Sequence, residues 1–514
     1  MADVDSRVAV AALTGGLALV GFRTLRRSQV LTQALPGPRR TSIVYGNARE
    51  FGKTRWHDGQ RFPEPFVTWQ TDFGGAFYYR VFWHHRVNLS DPTSLQHVFV
   101  VNAANYPRAS IPRALFQNLL GGDGLLSSED PAHAAQRKRL NPHFAQSVFK
   151  AYIPVFAAET ETLGKTLDSL TGPVSVPNLM TRLTLNIIGK TAFGYDFKTL
   201  DPTNDQAAIV LSAFEKLNTP PRFLYTLGLT LLPGFQHWPL PYLRQIQAAK
   251  ATLFRIVDDV IAHKVTSPSR DLLDLLLADA AMTAAEARVH VMTFMFAGHE
   301  TTSNTLSWVL AMLATHPTVE AAVVDECRRA LADAGGTVSW QTLGDLPLLT
   351  ATIYETLRLY PTAPFITTRH CVADDSIPRT DDAPFFMPAG AHVSFSVGAI
   401  HRNPLYWTDP DAFVPQRFLD DSTQALADKA LRNGKGNTFT YMPFSAGAKN
   451  CIGKRFAVAE MQTVLLQLLP TYAFTLAPDA NLHPKLTGVT IKPSNLVMHV
   501  SHRAASCAKG NTTK

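Results

Sequence analysis

The 514-residue chain is predicted to be mainly α-helical with a minor β-sheet region, and three observations carry that expectation. A helical pattern opens at Thr283-x-x-Glu286, a capping-box signature. It runs through Val291, Met292, Met295, Phe296, Leu306, Val309, Leu310 and Leu313 to a stop at His316-Pro317. At 1.5 Å per residue such a helix is roughly 50 Å long, enough to cross a domain. A second, amphipathic pattern runs from Lys454 to Leu466. Strand character is confined to short segments, chiefly Phe77–Trp83 and the stretch up to Leu89, and most later patterns are helical.

Val8 to Phe22 is an uncharged run of 15 residues. As a helix it would be about 22 Å long, against a hydrocarbon core of roughly 30 Å. Arg23, Arg26, Arg27, Arg39 and Arg40 follow it, whereas Asp3 and Asp5 precede it. The positive-inside rule therefore places the body in the cytosol, with residues 1–34 as a membrane anchor and basic flank. The basic n-region and small-residue cleavage site of a signal peptide are not clear, and Asp3 and Asp5 disfavour a mitochondrial presequence. Signal peptide and peripheral insertion stay open beside the anchor. Leu35-Pro36-Gly37-Pro38 reads as a stiff hinge into the body.

Residues 35–500 show no Gly/Ser linker, charge block or repeat, so one large catalytic domain is expected, followed by a polar, frayed tail over 501–514. The net charge of +7 suits acidic partners or membrane lipid. Nucleic acid is not an expected partner, because the basic residues are dispersed and no recognition motif is present. Cys327, Cys371, Cys451 and Cys507 show no close pairing pattern, which argues against a disulfide scaffold and for a reducing compartment. Phe223–Pro233, with Phe235, Trp238 and Tyr242, is apolar and proline-broken. A second membrane contact and a buried connection between helices are both open readings of it.

The chemistry concentrates around Cys451. In Phe444-Ser445-Ala446-Gly447-Ala448-Lys449-Asn450-Cys451-Ile452-Gly453 one thiol is framed by two glycines, a cation and an aromatic. Gly447 allows a tight turn, Gly453 allows close approach to a macrocycle, and Phe444 shields the sulfur. The helix predicted after Cys451 puts the thiol at a positive N-terminus, which favours thiolate. A thiolate donates electron density to haem iron and promotes O–O cleavage, and Lys449 can pair with a haem propionate.

Two further signatures lie upstream. Ala297-Gly298-His299-Glu300-Thr301-Thr302 sits in the middle of the long helical pattern. A glycine there costs about 1 kcal/mol against alanine, which points to close approach by a ligand. Glu300 and Thr301 are an acid and a hydroxyl suited to relaying protons toward dioxygen. Glu355-Thr356-Leu357-Arg358 places a carboxylate and a guanidinium on one helical face. The apolar segment Leu359–Ile366 follows, so a buried network with Arg417 is expected.

With these signatures the chain resembles the cytochrome P-450 superfamily of haem-thiolate monooxygenases, microsomal eukaryotic type, from Leu35 to about Met498. The resemblance implies haem b with Cys451 as axial ligand in the loop Phe444–Gly453, catalytic roles for Thr301 and Glu300, and the structural triad Glu355, Arg358 and Arg417. It also implies propionate contacts from Arg137 in His133-x-x-x-Arg137 and from Arg369. Two departures stand out: the family more often has tryptophan at His133, and arginine at Lys449, where lysine lacks the bidentate fork.

The resemblance further implies electrons from NADPH through a separate flavin reductase, since no convincing dinucleotide or flavin motif is present. It implies a pocket drawn from Phe116, Phe294, Ala297, Phe365, Ile366, Thr487 and Val489. These are largely apolar, so the expected substrate is lipid-like or terpenoid-like, oxidised with O2 at the endoplasmic reticulum membrane. The overall cast is similar to microsomal fatty-acid hydroxylases. A haem-thiolate isomerase or peroxide-dependent enzyme, and a non-catalytic haem sensor, stay open as alternatives.

Overall fold

The computed structural model describes residues 29–53, 62–219, 234–266, 271–278, 282–380 and 382–504, with isolated positions at 26, 225, 228 and 232. The run Val8–Phe22, most of Phe223–Pro233 and residues 505–514 lie outside the described residues. The chain forms two compact units, each assembled from separate stretches.

The first unit comprises Met1–Leu115, Ala363–Ala412 and Ala427–Cys451. Its four-stranded sheet has the order Ala76–Val81, His84–Leu89, His392–Ser396, Phe365–His370. The central pair is parallel, and its neighbours are antiparallel. Side chains alternate across a strand, and here both faces are covered. Phe77 and Tyr79 pack with Phe66 and Trp69, whereas Ala76 and Tyr78 join Val87, Val393 and Phe395. That is why Ala76–Tyr79 reads as an unbroken apolar run.

The second unit comprises Phe116–Thr362, Phe413–Leu426 and Ile452–Lys514. Its main helix is Ala284–Thr315, 32 residues long. Both capping-box bonds form: Glu286 N–H donates to Thr283 Oγ1 at 3.2 Å, and Thr283 N–H to Glu286 Oε2 at 2.8 Å. The helix ends before Pro317, which opens the next helix, Pro317–Asp333. It is buried nearly all round from Val289 to Leu313, as a central helix must be. Trp308 stacks on Tyr360 at 4.0 Å.

Gly298 requires a correction. A Cβ there would lie 3.1 Å from the Ile188 side chain on the helix Val176–Phe193. The close approach it permits is that of a neighbouring helix, not the ligand approach expected from sequence. The helix Lys454–Thr471 lies on Gln146–Ser169, where Phe456 meets Phe149, Tyr152 and Phe156 edge-on.

The tail expectation is also corrected at its start. Ser501 and His502 are the last residues of strand Val497–His502, paired with Ala473 and Tyr472. Arg503 forms an ion pair with Glu320. A sheet ladder is made by backbone groups, so polar side chains do not end it. Among the described residues no single helix is long and apolar enough to cross a membrane.

Candidate active site

In the first unit the cysteine loop is closed by Cys451 N–H donating to the Phe444 carbonyl at 2.9 Å. Ser445 and Gly447 both take left-handed backbone conformations, φ 60° and 71°. A Cβ on Gly447 would come 2.2 Å from the Phe99 carbonyl oxygen, so the loop closes only with glycine there. Phe444 and Lys449 are half-buried, and Cys451 is exposed. The other described cysteines differ in kind. Burial pushes the Cys327 thiol up to about 12 and the Cys371 thiol to about 11, so both stay protonated.

Arg369 is buried in the strand Phe365–His370, its guanidinium 5.6 Å from the Phe99 ring centre. An isolated bridge joins it to Arg108, also buried. Sequence reasoning passed over Arg108; its one signal was an arginine set among Tyr106, Pro107 and Ala109. Phe365 is partly exposed, with its ring 5.4 Å from Phe66, and Ile366 packs on the core.

In the second unit, Ala297, Gly298 and Thr301 are the only positions between Val289 and Leu313 that are not fully buried. Gly298 is accounted for by Ile188. Ala297 and Thr301, one helical turn apart, mark an open face. The Thr301 hydroxyl donates to the Ala297 carbonyl at 2.8 Å. Glu300 is buried, and its Oε1 accepts from Thr490 at 2.8 Å and Thr487 at 3.1 Å. Burial holds its carboxyl above the usual range, offset in part by those hydroxyls and by Lys492. Asn304 Nδ2 donates to Thr490 Oγ1 at 3.1 Å, extending the network.

Thr487 thus meets Glu300 directly, whereas Val489 is exposed at the adjoining turn. Phe294 is buried with its ring 5.5 Å from Phe144, and Phe116 is half-buried on the helix Ser110–Leu120. His133 and Arg137 lie on the helix Ala132–Leu140; His133 is buried, and Arg137 Nε donates to Asn141 Oδ1 at 3.0 Å. A Cβ on Gly453 would meet nothing within 4 Å.

Glu355, Arg358 and Arg417 come together in this unit. Arg358 donates from Nε to Glu355 Oε2 at 2.7 Å and from Nη2 to Oε1 at 2.8 Å, a bidentate pair. Arg417 Nε and the Val414 N–H add bonds to Oε1 at 3.2 and 2.8 Å. Among the buried acids that were not singled out from sequence, Glu460 lies nearest in the chain to the cysteine loop. Glu460 on the helix Lys454–Thr471 has its carboxyl held well above the usual range by burial, and neither of its carboxylate oxygens meets a hydrogen-bond donor among the described residues. Its signal was a lone carboxylate between Ala459 and Met461.

A family model described as Cytochrome P450 matches residues 36–500. The chain belongs to the cytochrome P450 family. As a P450 it is a haem-thiolate monooxygenase, and haem with a cysteine thiolate ligand is its cofactor. Protein LUTEIN DEFICIENT 5, chloroplastic, of Arabidopsis thaliana is 30% identical over 78% of this chain and 68% of its own length. Cytochrome P450 4B1 of Homo sapiens is 28% identical over 94% of each chain. The crystal structure of the cytochrome P450DA heme domain superposes with a TM-score of 0.75 at 26% identity, covering 91% of this P450 and 98% of that chain. The residues present fit such a group. One exposed cysteine stands apart from two thiols kept protonated, the space beside Gly453 is open, and a central helix is open at Ala297 and Thr301.

Proposed function

We propose that this P450 inserts one atom of O2 into an apolar, lipid-like or terpenoid-like substrate. Its electrons come from NADPH through a separate flavin reductase, and it works on the endoplasmic reticulum membrane with its catalytic body in the cytosol. The observation that carries the reading is the exposed Cys451, held in a loop that tolerates no side chain at Gly447. Haem b, once bound, supplies the oxidising chemistry. Cys451 is its thiolate ligand, Phe444 shields the sulfur, Gly447 lets the loop turn tightly against Phe99, and Gly453 lets the backbone approach the macrocycle. Lys449, His133, Arg137 and Arg369 hold the propionates, and Arg108, bridged to Arg369, adds a second buried cation of the same sign. Phe116, Phe294, Ala297, Phe365, Ile366, Thr487 and Val489 are the pocket residues; their apolar majority excludes water and favours a hydrocarbon substrate. Incubating the holoenzyme, reductase and NADPH with lipid extracts tests the reading. Mass spectrometry should find products one oxygen heavier, and turnover with peroxide alone but none with reductase would reject it.

Thr301 has one hydroxyl proton, and it is spent on the Ala297 carbonyl. Its oxygen is therefore left to accept, so a water held there would donate to Thr301 in a fixed direction. Thr301→Ala should leave haem content nearly intact while product per NADPH drops several-fold and hydrogen peroxide rises. Thr301→Ser should recover much of the coupling. Equal ratios in all three proteins would remove Thr301 from the catalytic assignment.

Glu300 is the proton reservoir. Because burial raises its folded value above the ordinary one, it carries its proton over a wider pH range and loses it only as pH climbs through the raised value. Product per NADPH should fall over that interval in the wild type. Glu300→Gln should give a flat profile there, and an unchanged inflection in the variant would assign the titration elsewhere. For the anchor, deleting residues 1–34 should shift most of the protein to the soluble fraction with haem retained. Release of the full-length protein by a mild salt wash would contradict an inserted segment.

A further inference from the structure

We propose that Ser42 is a phosphorylation site for an arginine-directed protein kinase, and that Arg80 and Arg40 receive the phosphate. The proposal rests on the cytosolic placement of the body above, since that compartment supplies ATP, and it concerns a residue that the oxygen chemistry does not use.

Arg39-Arg40-Thr41-Ser42-Ile43 sets two guanidinium groups three and two positions before a hydroxyl, with a branched apolar side chain directly after it. A kinase that selects basic substrates reads such a charge pattern with acidic side chains of its own. Short matches of this kind also arise by chance, so the site must stand on the structure. Arg39, Arg40 and Thr41 are exposed, and Ile43 is 91% exposed. The side chains around Ser42 that a kinase must grip are therefore already in solvent.

The acceptor hydroxyl is distinguished from its neighbour. The Thr41 hydroxyl is engaged by the Gly46 carbonyl at 3.1 Å and by Glu50 Oε2 at 3.0 Å. Ser42 Oγ accepts from the Tyr45 N–H at 3.1 Å, and its own proton meets no acceptor among the described residues. Ser42 closes the turn over residues 42–46 by two backbone bonds with Gly46, at 3.1 and 2.9 Å. A surface turn held by so few bonds opens locally at little cost, which lets the segment extend into a kinase groove.

A receiving site for the phosphate lies beside it. Arg80, on the strand Ala76–Val81, donates from Nη2 to the Ser42 carbonyl at 3.2 Å and also to the Ile43 carbonyl, both neutral acceptors. Its Nε is buried with no hydrogen-bond partner among the described residues. Burial and the like charge of Arg40 both hold the Arg80 guanidinium below its usual value. Glu50, the carboxylate bonded to Thr41, also accepts from Asn47 at 3.4 Å. A phosphoryl group brings a charge of about −1.5 to −2 and three acceptor oxygens. It would offset the repulsion between Arg40 and Arg80 and give them a charge-assisted partner. In the transfer the Ser42 Oγ–P bond forms as the bond from the γ-phosphorus of ATP to its bridging oxygen breaks. The hydroxyl proton passes to the catalytic aspartate of the kinase, and ADP leaves.

The test incubates purified full-length holoprotein with MgATP and the catalytic subunit of cyclic-AMP-dependent protein kinase, an arginine-directed enzyme, and maps phosphate by mass spectrometry. It runs in solution, so its outcome is independent of where the protein resides. Phosphate should sit on Ser42, be lost in Ser42→Ala and persist in Thr41→Val. Arg39→Ala with Arg40→Ala should lower kcat/KM for phosphorylation by about tenfold or more. Phosphorylation of the wild type should slow hydrogen exchange at the Tyr45 and Gly46 amides. Arg80→Gln should still be phosphorylated but lose that slowing, with haem absorbance the same in every variant. No phosphate on Ser42 of the folded holoprotein, or label confined to heat-unfolded protein, would overturn the site. Exchange that is unchanged by phosphorylation would overturn Arg80 as the receiver.

Discussion

Protein carrying Glu355→Ala is expected to be haem-poor and prone to aggregation. The Glu355 carboxylate accepts two bonds from Arg358, one from Arg417 and one from the Val414 N–H, and all three side chains are buried. Alanine removes the only anion among these partners and leaves two guanidinium groups in a low-dielectric interior without it. Removing one member of a buried pair typically costs about 3–5 kcal/mol, a large share of the roughly 5–15 kcal/mol that holds a domain folded. Glu355→Gln keeps an acceptor but not the charge, so it should fall between alanine and wild type. Thermal unfolding and the haem-to-protein absorbance ratio check the series. Normal values for Glu355→Ala would show that the network is energetically superficial.

Local determinants were the legible part of this molecule. The capping box at Thr283 and the proline stop at Pro317 bracket the central helix because both act within one turn of the chain. The positive-φ requirement at Gly447 was likewise implicit in its loop. What the sequence hid was non-local. Thr490 bonds Glu300 across 190 positions of chain, and no period or motif couples hydroxyls on a hairpin to an acid on a distant helix. Gly298 illustrates the same limit: its glycine was evident, but its partner Ile188 comes from a helix more than a hundred residues earlier. Ser501 and His502 were misread because polarity describes side chains, whereas strand pairing is made by the backbone.

The second large effect falls on Cys451. Serine is nearly isosteric with cysteine, so Cys451→Ser should preserve the N–H bond to the Phe444 carbonyl and the loop around it. A neutral hydroxyl donates far less electron density to iron than a thiolate does. Monooxygenase turnover should therefore fall to background even where haem is retained. Mutating Cys327 or Cys371 to serine supplies the contrast, because burial keeps both as thiols and neither effect is expected from them. The measurement that reads the ligand most directly is the absorbance spectrum of the reduced carbon-monoxide complex in wild type and Cys451→Ser. Wild type should show the thiolate-type band and the variant should lack it; a variant that keeps both that band and its activity would contradict Cys451 as the haem ligand.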